Sequence, residues 1–119
     1  MKNNQIQFRA TAVVSIGHPS IAGHFPGNPV VPAVVILQTI WQLAQPYLDS
    51  RVLREVTQAK FSAVLRPGKE FSIQFELSSD DLLTFSCIEA GVHFATGGFR
   101  ITKDLTKRKE HEQPVVGSN

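Results

Sequence analysis

Residues 23–42 read GHFPGNPVVPAVVILQTIWQ. Pro26, Pro29 and Pro32 stiffen the segment that follows His24, because each ring fixes its own φ and removes an amide donor. The segment runs straight into the apolar stretch Ala33 to Leu37. Pro32 suits a first helical position, where the missing N–H is not needed. A helix is therefore predicted from Pro32 to about Tyr47, with Pro46 tolerated only near its frayed end. Its wall is apolar almost all round: Ala33, Val34, Val35, Ile36, Leu37, Ile40, Trp41, Leu43 and Ala44. Gln38, Gln42 and Gln45 make one narrow polar stripe, with Thr39 beside it. A helix of this kind is expected to be buried on nearly all sides. His24 then sits at the mouth of a buried helix, beside that helix's unpaired N–H groups. Such a place can polarise a carbonyl and move a proton.

Around this helix the pattern changes to a period of two. Gln7 to Ile16 reads as a first strand, closed by Gly17-His18-Pro19. After the helix, Val56 to Leu65 alternates imperfectly, and Arg66-Pro67-Gly68-Lys69 makes a turn. Phe71, Ile73, Phe75 and Leu77 then share one face of a strand, with Ser72, Gln74 and Glu76 on the other. Ser79-Asp80-Asp81 is the next turn, Leu83 to Ala90 a strand, Gly91 a break or bulge, and His93 to Thr102 a last strand. Residues 103–119 are polar and are expected to form a disordered tail after a domain at 1–102. The fold class is α+β: a curved antiparallel sheet of about five to six strands wrapped around one long helix. An open sheet of that size leaves an edge exposed, so a dimer is expected.

The whole chain narrows the choice. Its 119 residues fit one domain, and 42% hydrophobic against 18% charged residues fits a globular fold. A net charge of +2 does not argue for nucleic acid, and Lys107-Arg108-Lys109 lies among Glu110 and Glu112 as a solvated run. One cysteine, Cys87, excludes an intramolecular disulfide, and no zinc site is expected from it. The N-terminal residues lack the apolar core of a signal peptide, and Gln38, Gln42 and Gln45 interrupt the longest apolar run. A cytoplasmic protein without membrane insertion is expected.

His24-Phe25-Pro26-Gly27-Asn28-Pro29-Val30-Val31-Pro32, followed by an apolar helix, resembles the signature of the hot-dog-fold 3-hydroxyacyl-[acyl carrier protein] dehydratases. The likeness continues through Gln42 and, more weakly, through Lys60-Phe61 and Arg66-Pro67-Gly68, over roughly residues 8–102. The chain also resembles the small dehydratases of aryl-polyene and related polyketide-like pathways. The resemblance implies a sheet wrapped around a central helix, two paired subunits and a tunnel at their interface. It implies that His24 exchanges the proton alpha to a thioester carbonyl, while the amide of Ala33, with Val34, binds the carbonyl oxygen. Phe25, Gly27, Pro32 and Gln42 are carried over with them as substrate-binding positions. The helix dipole favours the negative charge that develops on that oxygen.

Two residues depart from the family's pattern. Ala33 stands where glycine is usual, so a methyl crowds the approach of the thioester. Gln38, fourteen residues after His24, stands where the family carries a glutamate or aspartate that protonates the leaving hydroxyl. An amide cannot deliver that proton at neutral pH. The expectation is a slow dehydratase, one with a different acid, or an inactive subunit. Thioester hydrolysis and a non-catalytic or heterodimeric acyl-thioester-binding role are the alternatives. The implied partners are an acyl carrier protein and a second subunit, alike or related. Arg54, Lys60, Arg66, Lys69, Arg100 or Lys103 offers charge for an acidic carrier. No metal or dissociable cofactor is expected; the substrate would ride on the carrier's phosphopantetheine. His18 is a turn residue or touches the site, His93 a partly buried strand residue, His111 a solvated tail residue and Cys87 a buried inert thiol. Trp41 and Phe85 belong to the core or the acyl tunnel, and Asp80 and Asp81 to a turn.

Overall fold

A computed structural model describes residues 6–19, 27, 29–78 and 81–104. Among the described residues there are five strands and one α-helix. They are β1 (Ile6–Val13), α1 (Ala33–Ala44), which runs on into a 3-10 turn (Gln45–Tyr47), β2 (Arg51–Phe61), β3 (Glu70–Ser78), β4 (Leu82–Glu89) and β5 (Val92–Lys103). The strands form one antiparallel sheet in the order β1-β3-β4-β5-β2. β1 and β2 are neighbours in sequence and opposite edges in space. The connection between them, which holds α1, must therefore cross the sheet.

The crossing builds the core. On β3, Phe71, Ile73, Phe75 and Leu77 are all buried on one face, as their alternation predicts. Leu83, Phe85 and Cys87 continue that face on β4, and Phe99 and Ile101 on β5. From α1, Val35, Ile36, Ile40 and Ala44 close on it. Trp41 meets Phe99 edge-on with ring centroids 5.5 Å apart. At the other end of the helix Tyr47 stacks on Phe8 at 4.1 Å, and Phe8 on Phe75 at 4.7 Å.

Several expectations need correction. The helix is not buried on nearly all sides: the sheet of one chain covers only one side of it, and Val34, Gln38 and Gln42 are exposed. Pro32 is the N-cap and not the first helical residue, with extended backbone at φ −62° and ψ 148°. The α-helix stops at Ala44; Pro46 stands at the start of the 3-10 turn, where its missing donor costs nothing. The first strand ends at Val13, short of Ile16, and the strand placed at Val56 to Leu65 runs from Arg51 to Phe61. That strand pairs with β5 through two irregularities. One extra residue, Arg54, lies between Leu53 and Glu55, and another between Thr57 and Lys60, where Gln58 takes φ +50°. Bulges of this kind erase a strict alternation. β5 makes room for the second one at Gly97, where an added Cβ would stand 2.7 Å from the Phe85 ring and 3.0 Å from the Ala59 Cα. The predicted break at Gly91 is a tight hairpin, with Ala90 and Gly91 both at positive φ between the paired Glu89 and Val92. Of the tail expected at 103–119, residues 105–119 lie outside the described residues.

Candidate active site

The start of α1 is held by a segment more than thirty residues away. The amide of Val31 donates to the carbonyl of Leu65 at 2.8 Å, and Arg66 Nη1 reaches the carbonyl of Pro29 at 3.4 Å. Two residues on, the amide of Gly68 donates to the carbonyl of Val14 at 2.8 Å. Gly68 itself takes φ +84°, a conformation open to glycine. The turn at 65–68 thus ties the end of β1 to the proline-rich approach to the helix. This clamp is what the sequence reading missed. Its only signal there was the Arg66-Pro67-Gly68 turn.

Pro32 accepts the amides of Val35 at 3.0 Å and Ile36 at 3.2 Å, but it has no side chain with which to cap the helix. The first turn holds no acidic residue. Among the described residues no acceptor meets the amides of Ala33 and Val34, and both residues are exposed. The positive end of the helix dipole is therefore presented outward with two donors, an arrangement that favours an oxygen gaining negative charge. One turn along, Gln38 stands above Val34, and Gln42 and Gln45 extend the same exposed ridge. Thr39 is turned inward on the helix, its hydroxyl donating to the carbonyl of Val35 at 2.8 Å. No carboxylate lies anywhere on α1.

The other candidates separate from this group. His24, Phe25, Asp80 and His111 lie outside the described residues. Gly27 is exposed at φ +97°, which suits the glycine of the motif. His18 is half-buried in the bend after β1, its amide donating to the carbonyl of Ser15 at 3.0 Å. His93 is exposed, not partly buried: the one-residue shift between Cys87 and Ile88 turns it outward, where Nδ1 lies 2.9 Å from Ser86 Oγ. Asp81 is a turn residue whose carbonyl accepts the amide of Ile101 at 3.0 Å. Cys87 is fully buried, and burial pushes its thiol up to about 12. Among the described residues no three His, Cys, Asp or Glu side chains gather to hold a metal ion. No helix there is long and apolar enough to cross a membrane. A groove of about 650 Å³ opens over β1, β3 and β4 between Gln7, Arg9, Gln74, Glu76, Thr84 and Ser86; Phe85 lines it, and none of the helix-start residues does.

Known proteins resemble the chain in sequence and in fold. Residues 1–98 match the family described as ApeI-like, ApeI dehydratase. The 3-hydroxyacyl-[acyl-carrier-protein] dehydratase FabZ of Levilactobacillus brevis is 36% identical over 75 residues, covering 56% of this chain and 51% of that protein. The chain spans about half the length of such curated relatives. In fold it is similar to a chain of the dehydratase heterocomplex ApeI:P from Xenorhabdus doucetiae, with a TM-score of 0.72 at 20% identity over 87% of this chain and 100% of that one. A hot-dog-like protein from Thermanaerovibrio acidaminovorans gives a TM-score of 0.66 at 17% identity over 91% and 90% of the two chains. The architecture is the hot-dog fold that the His24 motif implies.

Proposed function

The chain belongs to the ApeI-like dehydratase family, and on that premise we propose that it removes water from a 3-hydroxyacyl thioester carried on acyl carrier protein. The product is the trans-2-enoyl thioester. The observation that carries this reading is the uncapped start of α1, where the amides of Ala33 and Val34 face outward beneath Gln38. In the proposed reaction these amides bind the thioester oxygen as charge develops on it. A donor in such a place is typically worth about 2.7–4 kcal/mol of barrier. His24, the histidine of the motif, takes the proton from the carbon alpha to the carbonyl. The C–O bond at the beta carbon then breaks, and the hydroxyl leaves with a proton as water. Gln38 orients that hydroxyl through hydrogen bonds, and His24 returns the proton it took. Phe25, Gly27, Pro32 and Gln42 line the approach. The acyl group arrives on phosphopantetheine, no further cofactor takes part, and the setting is the cytoplasm, in fatty-acid or polyketide-like synthesis.

The test is a dehydration assay that follows the enoyl thioester, with parent protein beside His24→Ala. The expected loss is about 10²–10⁴-fold, the usual worth of one acid–base group. Equal rates in the two proteins would sink the proposal. Thiol release without enoyl product would instead support thioester hydrolysis, which the lack of a carboxylate on α1 disfavours.

Gln38 favours a second reading of the assembly. The ridge Val34, Gln38, Gln42 and Gln45 is bare within one chain, and the edge strand β2 exposes Val52, Leu53 and Val56. A second subunit is proposed to cover both. If that subunit is a related dehydratase with a carboxylate at the position of Gln38, a mixed dimer supplies the missing acid. Co-expression with such a relative should then yield a mixed dimer faster than either homodimer. A homodimer of full activity would exclude this reading.

A further inference from the structure

Residues 29–32, Pro-Val-Val-Pro, lead into α1 with few groups that can hold them in place. Pro29 and Pro32 have no amide hydrogen, and none of the four side chains donates or accepts a hydrogen bond. The carbonyl of Pro32 is taken up by the first turn of the helix, at Val35 and Ile36. Among the described residues two hydrogen bonds then tie the segment to the rest of the domain, and both end on the turn at 65–68. The amide of Val31 donates to the carbonyl of Leu65 at 2.8 Å, and Arg66 Nη1, among its contacts, reaches the carbonyl of Pro29 at 3.4 Å. The turn is itself anchored twice. Leu65 is 1% exposed in the core, and the amide of Gly68 donates to the carbonyl of the buried Val14. No side chain caps α1, so the direction of its first amides is set by this clamp and not by a cap of the helix.

We propose that the turn at 65–68 is a positioning device for the reaction: Arg66, through the carbonyl of Pro29, and Gly68, through the backbone of the turn, hold the amides of Ala33 and Val34 in line with the thioester oxygen. The inference rests on the dehydratase reading, because it needs an oxygen on which charge develops. Both are positioning residues that act through the segment and not on the substrate. Hydrogen bonds weaken steeply as they bend, and donors moved by about 1 Å can cost a reaction about 10²-fold. Arg66 is the one side chain in the clamp's hydrogen bonds. Gly68 shapes the turn. It takes φ +84°, and a Cβ added there would meet nothing within 4 Å. Alanine at 68 would therefore act through backbone strain alone. Gly91, in the hairpin between β4 and β5, takes φ +81° and is equally open. The two glycines are matched in strain and in space. They differ in that only the turn of Gly68 is tied to the approach to α1.

The test sets Gly68→Ala beside Gly91→Ala in a dehydration assay on a 3-hydroxyacyl-pantetheine. The two variants should lose similar stability in urea. Gly68→Ala should also lose about tenfold in kcat with KM unchanged, the pattern of an interaction made only in the transition state. Gly91→Ala should keep the kcat of the parent. Arg66→Gln should lose kcat in the same way, and Arg66→Lys should recover part of it, since an ammonium can still donate to a carbonyl. Equal kcat in the two alanine variants would overturn the proposal, whether both match the parent or both fall, because the turn would then serve the fold alone. Should Gly68→Ala fail to fold, the Arg66 variants decide: a parental kcat in Arg66→Gln, or a loss that Arg66→Lys does not ease, overturns it. If the parent turns over no thioester, the dehydratase reading fails, and amide hydrogen exchange decides the positioning. The Val31 amide should then exchange faster in Gly68→Ala and Arg66→Gln than in Gly91→Ala, and equal exchange in all three overturns the proposal.

Discussion

The two sides of α1 are built from similar residues and meet opposite surroundings. On one side Val35, Ile36, Ile40 and Ala44 are at most 2% exposed beneath the sheet. On the other, Val34 is 58% exposed on a ridge with Gln38 and Gln42. The difference lies in what covers each side. The aromatic and branched residues of β3, β4 and β5 cover the first, so its task is stability. The chain's own sheet does not reach the second, yet that side begins with an apolar residue and two amides that meet no acceptor among the described residues. Substitutions on the two sides should therefore separate stability from activity.

The largest effect is expected on the covered side. Ile40 is fully buried at the centre of the helix contact, and Ile40→Ala should cost about 2–5 kcal/mol through lost burial and the cavity left behind. Urea unfolding would measure it. Any protein that remains folded should keep its turnover, because Ile40 faces away from the ridge. A loss of activity greater than the loss of folded protein would mean that the two sides are not separable.

Cys87 belongs to the same covered side and gives it a pH signature. Burial raises its thiol from 9.0 to about 12. Above pH 9.0 the unfolded chain releases this proton while the folded one holds it, so the folded state binds more protons and loses stability as pH rises. The loss should approach about 1.4 kcal/mol per pH unit within the window from 9.0 to about 12, and stability from this group is complete below it. Denaturation midpoints for the parent and Cys87→Ala, taken at pH 8 and pH 10, would show the difference. Parallel curves would mean that the thiol is open to water.

How far the sequence was legible follows from the same contrast. The alternation Phe71, Ile73, Phe75, Leu77 announced β3 correctly, because a half-buried strand has a period of two. β2 was placed too late because it is an edge strand with two extra residues, and each extra residue reverses the alternation. The prolines marked the start of α1 to within one residue. The apolar wall of α1 did not reveal that one sheet covers only half of it, since composition records which residues avoid water and not which chain hides them. At the candidate site the helix start and Gln38 were readable from the motif. The clamp was not: Val31 and Leu65 meet through backbone atoms, which leave no trace in side-chain identity.

On the bare side the expected effects are kinetic. Gln38→Glu should raise dehydration about tenfold or more, toward the range of a restored general acid, and should hardly move the unfolding midpoint, because position 38 is exposed. The comparison is sharpened if only the rate changes. It is broken if the variant loses stability without gaining rate, for then Gln38 is a structural member of an interface.

The smallest effect, at Val34, asks whether the ridge is covered at all. As a solvent-exposed residue Val34 should tolerate Val34→Ser within about 0.5 kcal/mol. That holds at protein concentrations where the chain is a monomer. If a second subunit lies on the ridge, the same change removes apolar area from an interface. The variant's melting temperature then drops below the parent's only as concentration rises and dimers form, since association couples stability to concentration. Melting curves across a wide concentration range, read beside sedimentation, distinguish the two cases. A small loss that does not vary with concentration would leave the ridge open to solvent, and a mixed dimer built across Gln38 would lose its surface.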